Sequence, residues 1–479
     1  MSSRTFLRTS LFGPLVGLAL PLAVCFTACS DDGSLSVDAK RTAATSPTGN
    51  PPSSGAAAPK ALEVLKGDIK TAMNLTAAKE YLLQGLVVVK TGTTLTIEKG
   101  TTLKGDARSK AILLVEAGAK LIAEGTEDEP IVFTSQAAPQ DRRAGDWGGL
   151  VLLGNAPVNM PGGKGNVEGI LTTVQGTQFG GTDPDDSSGV LRYVRVEYAG
   201  VVLAQDNEVN GVTFAGVGRG TRVDHVQVRQ ALDDCFEFFG GTVDAKYLAC
   251  QGNEDDGFDW DNGYSGRLQF LVLQQSPGHV GEDNGIEGDN DAQGSANLPL
   301  SSPTIFNASL FGKNADVDNA QYGLLLRRNT RATLRNVLVS GFEASLDVRD
   351  VSTHAGVTEG ALTLTNSLFW NARNTAVLDN IAYPEKGATP PNKDNDGALS
   401  EVDWVKATAH KNLFSVDPKT DRAFDLEKPV FGPASPLVET AATPPKDGFF
   451  DPSAAYVGAF KDQSDDWATR GRWAVWSSR

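Results

Sequence analysis

The sequence has little of the material from which most enzyme active sites are built, with four histidines and four cysteines among 479 residues. G-x-S-x-G, H-E-x-x-H, C-x-x-C and the Walker loop are all absent, which argues against the enzyme classes that those motifs define. The histidines are scattered and no pair has metal-ligand spacing: they are His225, His279, His354 and His410. We therefore expect no organic cofactor and no histidine-based metal site.

Positive charge and methionine are also scarce. Lys and Arg number 43 against 59 Asp and Glu, a net charge of −16, which argues against nucleic acid or anionic lipid headgroups as primary partners. Three methionines and 51 glycines favour tight turns and short strands over helix bundles. Only one stretch is apolar enough to enter a bilayer, so a polytopic membrane protein is excluded.

That apolar stretch lies at the N-terminus and has the pattern of an export signal. Arg4 and Arg8 precede an apolar run over residues 11–24, and the Phe-Thr-Ala before Cys29 resembles the end of a bacterial lipobox. We expect residues 1–28 to be a lipoprotein signal peptide and Cys29 to be lipidated, so that acyl chains anchor the protein to a membrane. The alternative is an ordinary cleaved signal peptide.

The sequence from Cys29 onward divides into a tether and one long domain. Ser30 fits retention at the bacterial outer membrane, by resemblance to a sorting rule of enteric bacteria, and leaves open which face of that membrane the protein occupies. Residues 29–60 are rich in Ser, Pro and Ala and contain almost no large apolar side chain, which predicts a disordered tether. The folded domain is then expected over residues 61–479.

From about residue 83 the sequence is a succession of short strands. Apolar and polar residues alternate with the strand period, and the runs end at Gly, Asn or Asp. Similar runs recur at irregular intervals, mostly of about 20 to 30 residues. They cover residues 191–200, 223–232, 243–252, 267–276, 305–312, 334–341 and 364–371. A repeated coil of two or three strands predicts a right-handed parallel β-helix, with a jelly roll or sandwich as the alternative.

The ends of such a winding must be covered. We expect residues 61–84 to form an N-terminal cap, with a short helix over residues 76–83. Residues 425–479 contain three tryptophans after residue 460 and are expected to form a C-terminal cap.

Long motifs run through residues 61–479: GTTLTIEKGTTLKGD, KLIAEGTEDEPIVFTS, GDWGGLVLLGNAPVN, YVRVEYAG, FEFFGGTVDAKYL, GFDWDNG, DNGIEGDNDA and YVGAF. Together they resemble a widespread family of bacterial secreted or lipid-anchored parallel β-helix proteins. The resemblance implies the same fold over nearly the whole mature chain. It implies no activity, because the family has no established catalytic residues to carry over.

The second strand of each coil places acids on one outer face. Large apolar residues such as Phe236 and Phe238 alternate and should point inward, so the residues between them should point outward. The outward residues of successive coils are Glu237, Asp259 with Asp261, Glu287 with Asp289, Leu325 with Arg327, and Asp347 with Arg349. Further acids crowd the same edge: Asp233, Asp234, Glu254, Asp255, Asp256, Glu282, Asp283 and Asp291.

Carboxylates stacked about 4.8 Å apart repel one another, and a cation relieves that repulsion. Clustered oxygen ligands suit Ca²⁺. The metal hypothesis assigns it to Glu237, Asp259, Asp261, Glu287 and Asp289. Two other interpretations stay open: a solvated acidic face that keeps the protein soluble, and a working site in which Ca²⁺ and Arg act on an acidic polysaccharide.

The working-site interpretation resembles pectate-lyase-type β-helices, and that resemblance implies Arg327 or Arg328 as the base that removes a proton from the sugar. A hydrolase interpretation resembles polygalacturonase-type β-helices through the Asp pair at residues 233–234 and through His279. That family's Gly-His-Gly lacks its last glycine here, and the separation between the two motifs is long.

Two further side-chain predictions concern the mature chain. Cys235 and Cys250 pass through an oxidising compartment if the chain is exported, so they form either a disulfide or two buried small side chains. Tyr264 lies in a turn and is the best candidate for an exposed ring that binds a sugar.

The sequence therefore predicts an exported β-helix protein, lipid-anchored at the outer membrane, that binds glycan or another surface ligand and is stabilised by Ca²⁺. One alternative is a Ca²⁺-dependent polysaccharide lyase or a polysaccharide hydrolase. The other is a purely structural surface protein.

Overall fold

The computed structural model describes residues 60–168, 170, 176–204, 207–277, 284–315, 321–384 and 399–477. The expected signal peptide, the lipidated Cys29, the tether up to residue 59 and His279 all lie outside these residues. Among the described residues, no helix is both long enough and apolar enough to cross a membrane.

Strands make up most of the regular structure. In chain order they are β1 (Ala61–Ile69), β2 (Met73–Leu75), β3 (Lys79–Val89), β4 (Thr94–Ile97), β5 (Thr102–Gly105), β6 (Ile112–Val115), β7 (Lys120–Glu124), β8 (Ile131–Ser135), β9 (Gly149–Leu153), β10 (Gly165–Asn166), β11 (Gln178–Phe179), β12 (Gly189–Glu197), β13 (Val201–Ala204), β14 (Asn207–Val209), β15 (Val212–Ala215), β16 (Arg222–Arg229), β17 (Phe236–Phe239), β18 (Ala245–Gln251), β19 (Phe258–Asp261), β20 (Arg267–Gln274), β21 (Ile286–Gly288), β22 (Thr304–Phe311), β23 (Tyr322–Leu326), β24 (Thr333–Ser340), β25 (Ala344–Val348), β26 (Thr363–Thr365) and β27 (Leu368–Trp370). The α-helices in the described ranges are α1 (Val351–Glu359) and α2 (Glu401–Lys406). Short 3-10 turns cover Pro139–Asp141, Pro161–Gly163, Thr408–His410 and Asp421–Phe424.

Strand pairing follows one winding path. The main sheet has 23 strands, and its strands pair in parallel with strands of the preceding and following coils. Two small antiparallel pairs, β10 with β11 and β13 with β14, lie outside this sheet. The predicted right-handed parallel β-helix is confirmed.

The coils have three faces. The first face stacks the second half of β3 and then β6, β9, β15, β17, β19, β21, β23 and β25. The long strands β12, β16, β18, β20, β22 and β24 each supply both other faces, because each bends at one residue with positive φ. The bend residues are Tyr193, His225, Tyr247, Phe270, Asn307 and Asn336.

Along each strand of the first face, every second side chain points inward and fills the interior of the winding. Phe236 stacks on Phe258 of the next coil with ring centroids 5.5 Å apart, and Phe238 stacks on Phe214 of the preceding coil at 5.3 Å. All four rings are fully buried, so they contribute both apolar burial and ring stacking. The residue between two inward rings, such as Glu237, therefore belongs to the outer surface of the winding.

Cys235 and Cys250 are fully buried and joined in a disulfide, with their Cα atoms 5.8 Å apart. The bond links the residue before β17 to the last part of β18. It spans 15 residues of sequence and lies in the interior of the winding.

The short helix expected over residues 76–83 is wrong. The first of these residues form a turn, and the rest belong to β3. Strand β3 pairs with β1 on one edge and with β5 and β6 on the other, and these backbone bonds override the local helix preference.

Residues 425–479, expected to be an end cap, instead run along the side of the winding as far as they are described. The segment bonds to Asn336 through Ala442 and to Gln227 through Val475, so it passes from the last coils back toward the first. Its backbone bonds to the amide side chains of Gln227, Gln251, Gln269, Gln274, Asn307, Asn336 and Asn366. The segment covers these amides, and its backbone supplies the hydrogen-bond partners that buried amides require.

Candidate functional site

An acidic trough lies on the outer side of the first face, over β17, β19 and β21. We define it by seven carboxylates: Asp233, Asp234, Glu237, Asp255, Asp256, Asp259 and Glu287. The cavity that they line has a volume of about 540 Å³. Among the described residues that line it, the cationic ones are Arg327 and Arg349, which follow β23 and β25 at one end.

Backbone register brings three of the predicted ligands together. Glu237 pairs with Asp259 between β17 and β19, and Asp259 pairs with Glu287 between β19 and β21. Asp261 and Asp289 occupy the next outward position along these coils. Neither belongs to the clusters of three carboxylates found among the described residues.

A second column of side chains borders the trough, two residues before each of the strands β15, β17, β19 and β21. Its members are Asn210, Asp234, Asp256 and Asn284. Each Oδ1 atom accepts a hydrogen bond from a backbone N–H of the next coil. Asp234 donates to Asn210 at 3.2 Å, and Asp256 donates to Asp234 at 2.8 Å. Asn284 donates to Asp256 at 2.6 Å, and Tyr322 donates to Asn284 at 3.0 Å. This ladder fixes Asp234 and Asp256 in spite of their like charge. Sequence reasoning missed Asn210 and Asn284, although their constant offset from the strands was a usable signal.

The carboxylate oxygens form three overlapping clusters. The clusters are Asp233, Asp234 and Asp255; Asp234, Glu237 and Asp259; and Asp256, Asp259 and Glu287, with the ligand atoms of each within 4.8 Å of one another. Asp259 belongs to two of them, and its Oδ1 atom is buried without a hydrogen-bond partner in the described part of the chain. An unpaired buried carboxylate oxygen is costly unless a ligand completes it.

Burial makes the inner carboxyl groups hard to ionise. Desolvation, followed by the charge of Asp259, raises the pKa of Glu237 well above its usual range. Desolvation, followed by the charge of Glu287, does the same to the pKa values of Asp256 and Asp259. Without a cation, the trough therefore favours protonated acids.

The two ends of the trough differ in their neighbouring charges. Burial, followed by the charges of Asp255, Glu208 and Glu168, raises the pKa of Asp233 to about 8. Burial also raises the pKa of Glu287 to about 7, although Arg327 opposes that change. Arg327 thus compensates one end of the trough and not the other.

Arg327 and Arg328, the two residues considered as bases, are both held in ion pairs. Arg327 bonds to Glu287 and, at 3.1 Å, to Asp289, while Arg328 bonds to Asp289 at 2.8 Å. Burial alone lowers the pKa of Arg327, but the charges of its two acidic partners outweigh that effect and raise it. A guanidinium held in this way is a poor proton acceptor and acts as a fixed positive charge.

The expectation that Tyr264 is exposed is wrong. Its ring is fully buried and stacks on Phe238 with centroids 4.7 Å apart. Its hydroxyl donates a hydrogen bond to the Val243 carbonyl at 2.8 Å. The turn that carries Tyr264 folds back over the interior, so the ring supports the core and offers no sugar-binding surface.

The composition of the trough fits a hard cation. Its clustered ligand atoms are carboxylate oxygens, which is the donor type that Ca²⁺ takes in sets of six to eight together with water and carbonyl oxygens. The residues that would hold such an ion are Asp234, Glu237, Asp256, Asp259 and Glu287. The buried, unpartnered Oδ1 of Asp259 is the atom that a cation would complete.

Fold and site together define a parallel β-helix protein with an acidic trough on one face of its coils. The chain belongs to the family of pectate-lyase-like beta helix domains, whose family model matches residues 67–409. No curated protein and no solved structure matches the chain significantly. Family membership supports a surface or carbohydrate-related β-helix protein.

Proposed function

We propose that this protein binds carbohydrate at the bacterial cell envelope through the acidic trough, and that Ca²⁺ held by the trough is part of the binding site. The observation that carries the proposal is the stack of buried carboxylates around Asp259, whose Oδ1 atom has no partner in the described residues. The family supports carbohydrate as the ligand class.

Bound Ca²⁺ explains how the fold tolerates the stacked carboxylates of the trough. Asp234, Glu237 and Asp256 are each at most 8 % exposed, and their mutual repulsion is weakly screened at that depth. Arg327 offsets charge at one end of the trough, where it pairs with Glu287 and Asp289. Its weaker effect on Asp259 leaves the pKa of that group well above its usual range. A divalent ion near Asp259 would compensate the remaining carboxylates and would present an electrophilic centre to sugar oxygens in the cavity.

Binding is favoured over lyase chemistry by the state of the two arginines. Arg327 and Arg328 are engaged by Glu287 and Asp289, so neither is set up to accept a proton. Release of unsaturated or hydrolysed sugar from a polysaccharide bound by the protein would replace the binding proposal with the lyase or hydrolase alternative.

Asp259→Asn is expected to weaken Ca²⁺ binding by at least about tenfold and to abolish Ca²⁺-dependent glycan binding. The change keeps the size of the side chain and removes the charge that two oxygen clusters share. Calorimetric Ca²⁺ titration of chelator-stripped protein, followed by a glycan array with Ca²⁺ or with EDTA, measures both effects.

Asp185→Asn is the matched control, because it removes one charge from a residue outside the trough whose side chain is 76 % exposed. It should bind Ca²⁺ and glycan like the wild type. Glycan binding that is the same in EDTA as in Ca²⁺ would contradict the proposed role of the ion, and an array without any hits would contradict the ligand class.

The envelope location is part of the proposal and has its own test. Cys29→Ser is expected to abolish the incorporation of labelled fatty acid into the protein, because it removes the thiol that would carry the lipid. Metabolic labelling followed by immunoprecipitation measures the loss. A Cys25→Ser variant should still be labelled, and a wild type without label would overturn the anchor.

A further inference from the structure

Asp233, Asp234 and Asp255 form a cluster at one edge of the trough, separate from the residues of the predicted metal set. Their ligand atoms lie within 4.8 Å of one another. Asp233 and Asp234 lie in the turn before β17, and Asp255 lies in the turn before β19, so the cluster joins two successive coils. Asp255 is exposed, whereas the other two are buried.

Asp233 is the unusual member of this cluster. Its side chain is 8 % exposed, yet it has no hydrogen bond and no ion pair within the part of the chain that the structure describes. The charged groups that act on it most strongly are acids, namely Asp255, Glu208 and Glu168. A buried carboxylate surrounded by like charge is strongly unfavourable, and either a proton or a cation relieves it.

We propose that Asp233, Asp234 and Asp255 form a second divalent-cation site, an outer site that binds Ca²⁺ beside the inner site at Asp259. This inference rests on the proposed function, because Asp234 also belongs to a cluster of the inner site and would be shared by the two ions. Sharing is reasonable because a carboxylate has two oxygens, and among the described residues the Oδ1 atom of Asp234 accepts one backbone hydrogen bond.

The outer site differs from the inner one in access. The clusters around Asp259 contain no exposed residue, whereas the outer cluster contains the exposed Asp255. An ion held there would keep coordination positions open to the solvent, which water or ligand oxygens would fill. The inner ion would mainly compensate buried charge, and the outer ion would be the one that exchanges readily.

Counting Ca²⁺ tests the proposal. Native mass spectrometry and calorimetric titration of chelator-stripped protein should show two Ca²⁺ for the wild type, one for Asp233→Asn and one for Asp259→Asn. Asp255→Asn is a second outer-site variant on an exposed side chain, so it keeps the test valid if Asp233→Asn fails to fold. Asp185→Asn should still bind two ions.

Each pattern of results separates the outer site from the proposed function. The wild type could bind one ion that persists in Asp233→Asn and Asp255→Asn but is lost in Asp259→Asn. That result overturns the outer site and leaves the inner site standing. One ion that is lost in Asp233→Asn and kept in Asp259→Asn overturns the inner site instead. A wild type that binds no Ca²⁺ overturns both.

Discussion

Chelated protein is expected to lose stability as the pH rises from about 5 to about 8.5, and Ca²⁺ is expected to abolish that loss. Burial raises the pKa of Asp233 to about 8 and those of Asp261 and Glu287 to about 7. Neighbouring acids add to the rise, and Arg327 opposes it at Glu287. A carboxyl group whose pKa is raised by folding binds its proton more tightly in the native state. Its stabilising effect is therefore complete below the unfolded pKa, near 4, and is lost as the pH rises through the native pKa.

The size of the effect follows from the same linkage. Even two pKa units expressed at a single site correspond to a loss on the order of 3 kcal/mol of unfolding free energy. Bound Ca²⁺ favours the ionised acids, so it should flatten or reverse the slope. Urea unfolding midpoints at several pH values, in EDTA and in Ca²⁺, measure both curves.

Asp234→Asn and Asp256→Asn supply a matched test of the cause. Asn210 and Asn284 already occupy the same ladder, so asparagine keeps the Oδ1 acceptor and removes only the charge. Both variants should show a shallower pH slope in EDTA and a smaller gain from Ca²⁺. Parallel pH curves in EDTA and Ca²⁺ for the wild type would show that no ion is linked to these acids.

The winding could be predicted because its determinants are local. The alternation of Phe236 with Phe238, repeated by Phe258 with Trp260, defines inward and outward positions within a few residues, and Gly- and Asn-rich turns separate the runs. Equivalent strands stack whenever such runs recur. The alignment of Glu237 with Asp259 therefore follows from the inward rings on either side of them.

The ladder and the C-terminal segment could not be predicted, because both depend on contacts that are remote in sequence. Nothing near Asn284 indicates that its side chain will meet the backbone of Tyr322 across 38 residues. Nor does the composition of the last residues reveal that Gln227 binds them across 248 residues. Tyr264 was misjudged for the same reason, since a turn residue is exposed only if nothing folds over it.

Asn307→Ala is expected to lower the unfolding free energy by about 3 to 5 kcal/mol, a large effect for one side chain. Asn307 is fully buried, and its Nδ2 group lies within hydrogen-bond distance of three carbonyls of the C-terminal segment: Ala454 at 3.0 Å, Tyr456 at 2.7 Å and Gly458 at 3.2 Å. Alanine removes the side-chain donor from all three carbonyls, although the Ala454 carbonyl still accepts a hydrogen bond from the Tyr456 backbone N–H at 2.9 Å. It also adds the cost of a left-handed backbone, because φ is 59° at this bend.

Two further variants separate these causes. Asn307→Gly accepts the left-handed backbone and should recover about 1 kcal/mol of the loss, with the hydrogen-bond cost remaining. Asn314→Ala is the control, because Asn314 has a similar backbone, with φ 51°, but is half-buried. Its Oδ1 accepts a hydrogen bond from the Asn371 side chain, the one side-chain bond it makes among the described residues. Its loss of unfolding free energy should therefore stay near that of the backbone alone. Because Asn307 joins the winding to the C-terminal segment, its loss should also increase proteolysis within residues 425–479. Equal urea midpoints for Asn307→Ala and Asn314→Ala would mean that the hydrogen bonds of Asn307 to this segment add nothing measurable to the free energy of unfolding.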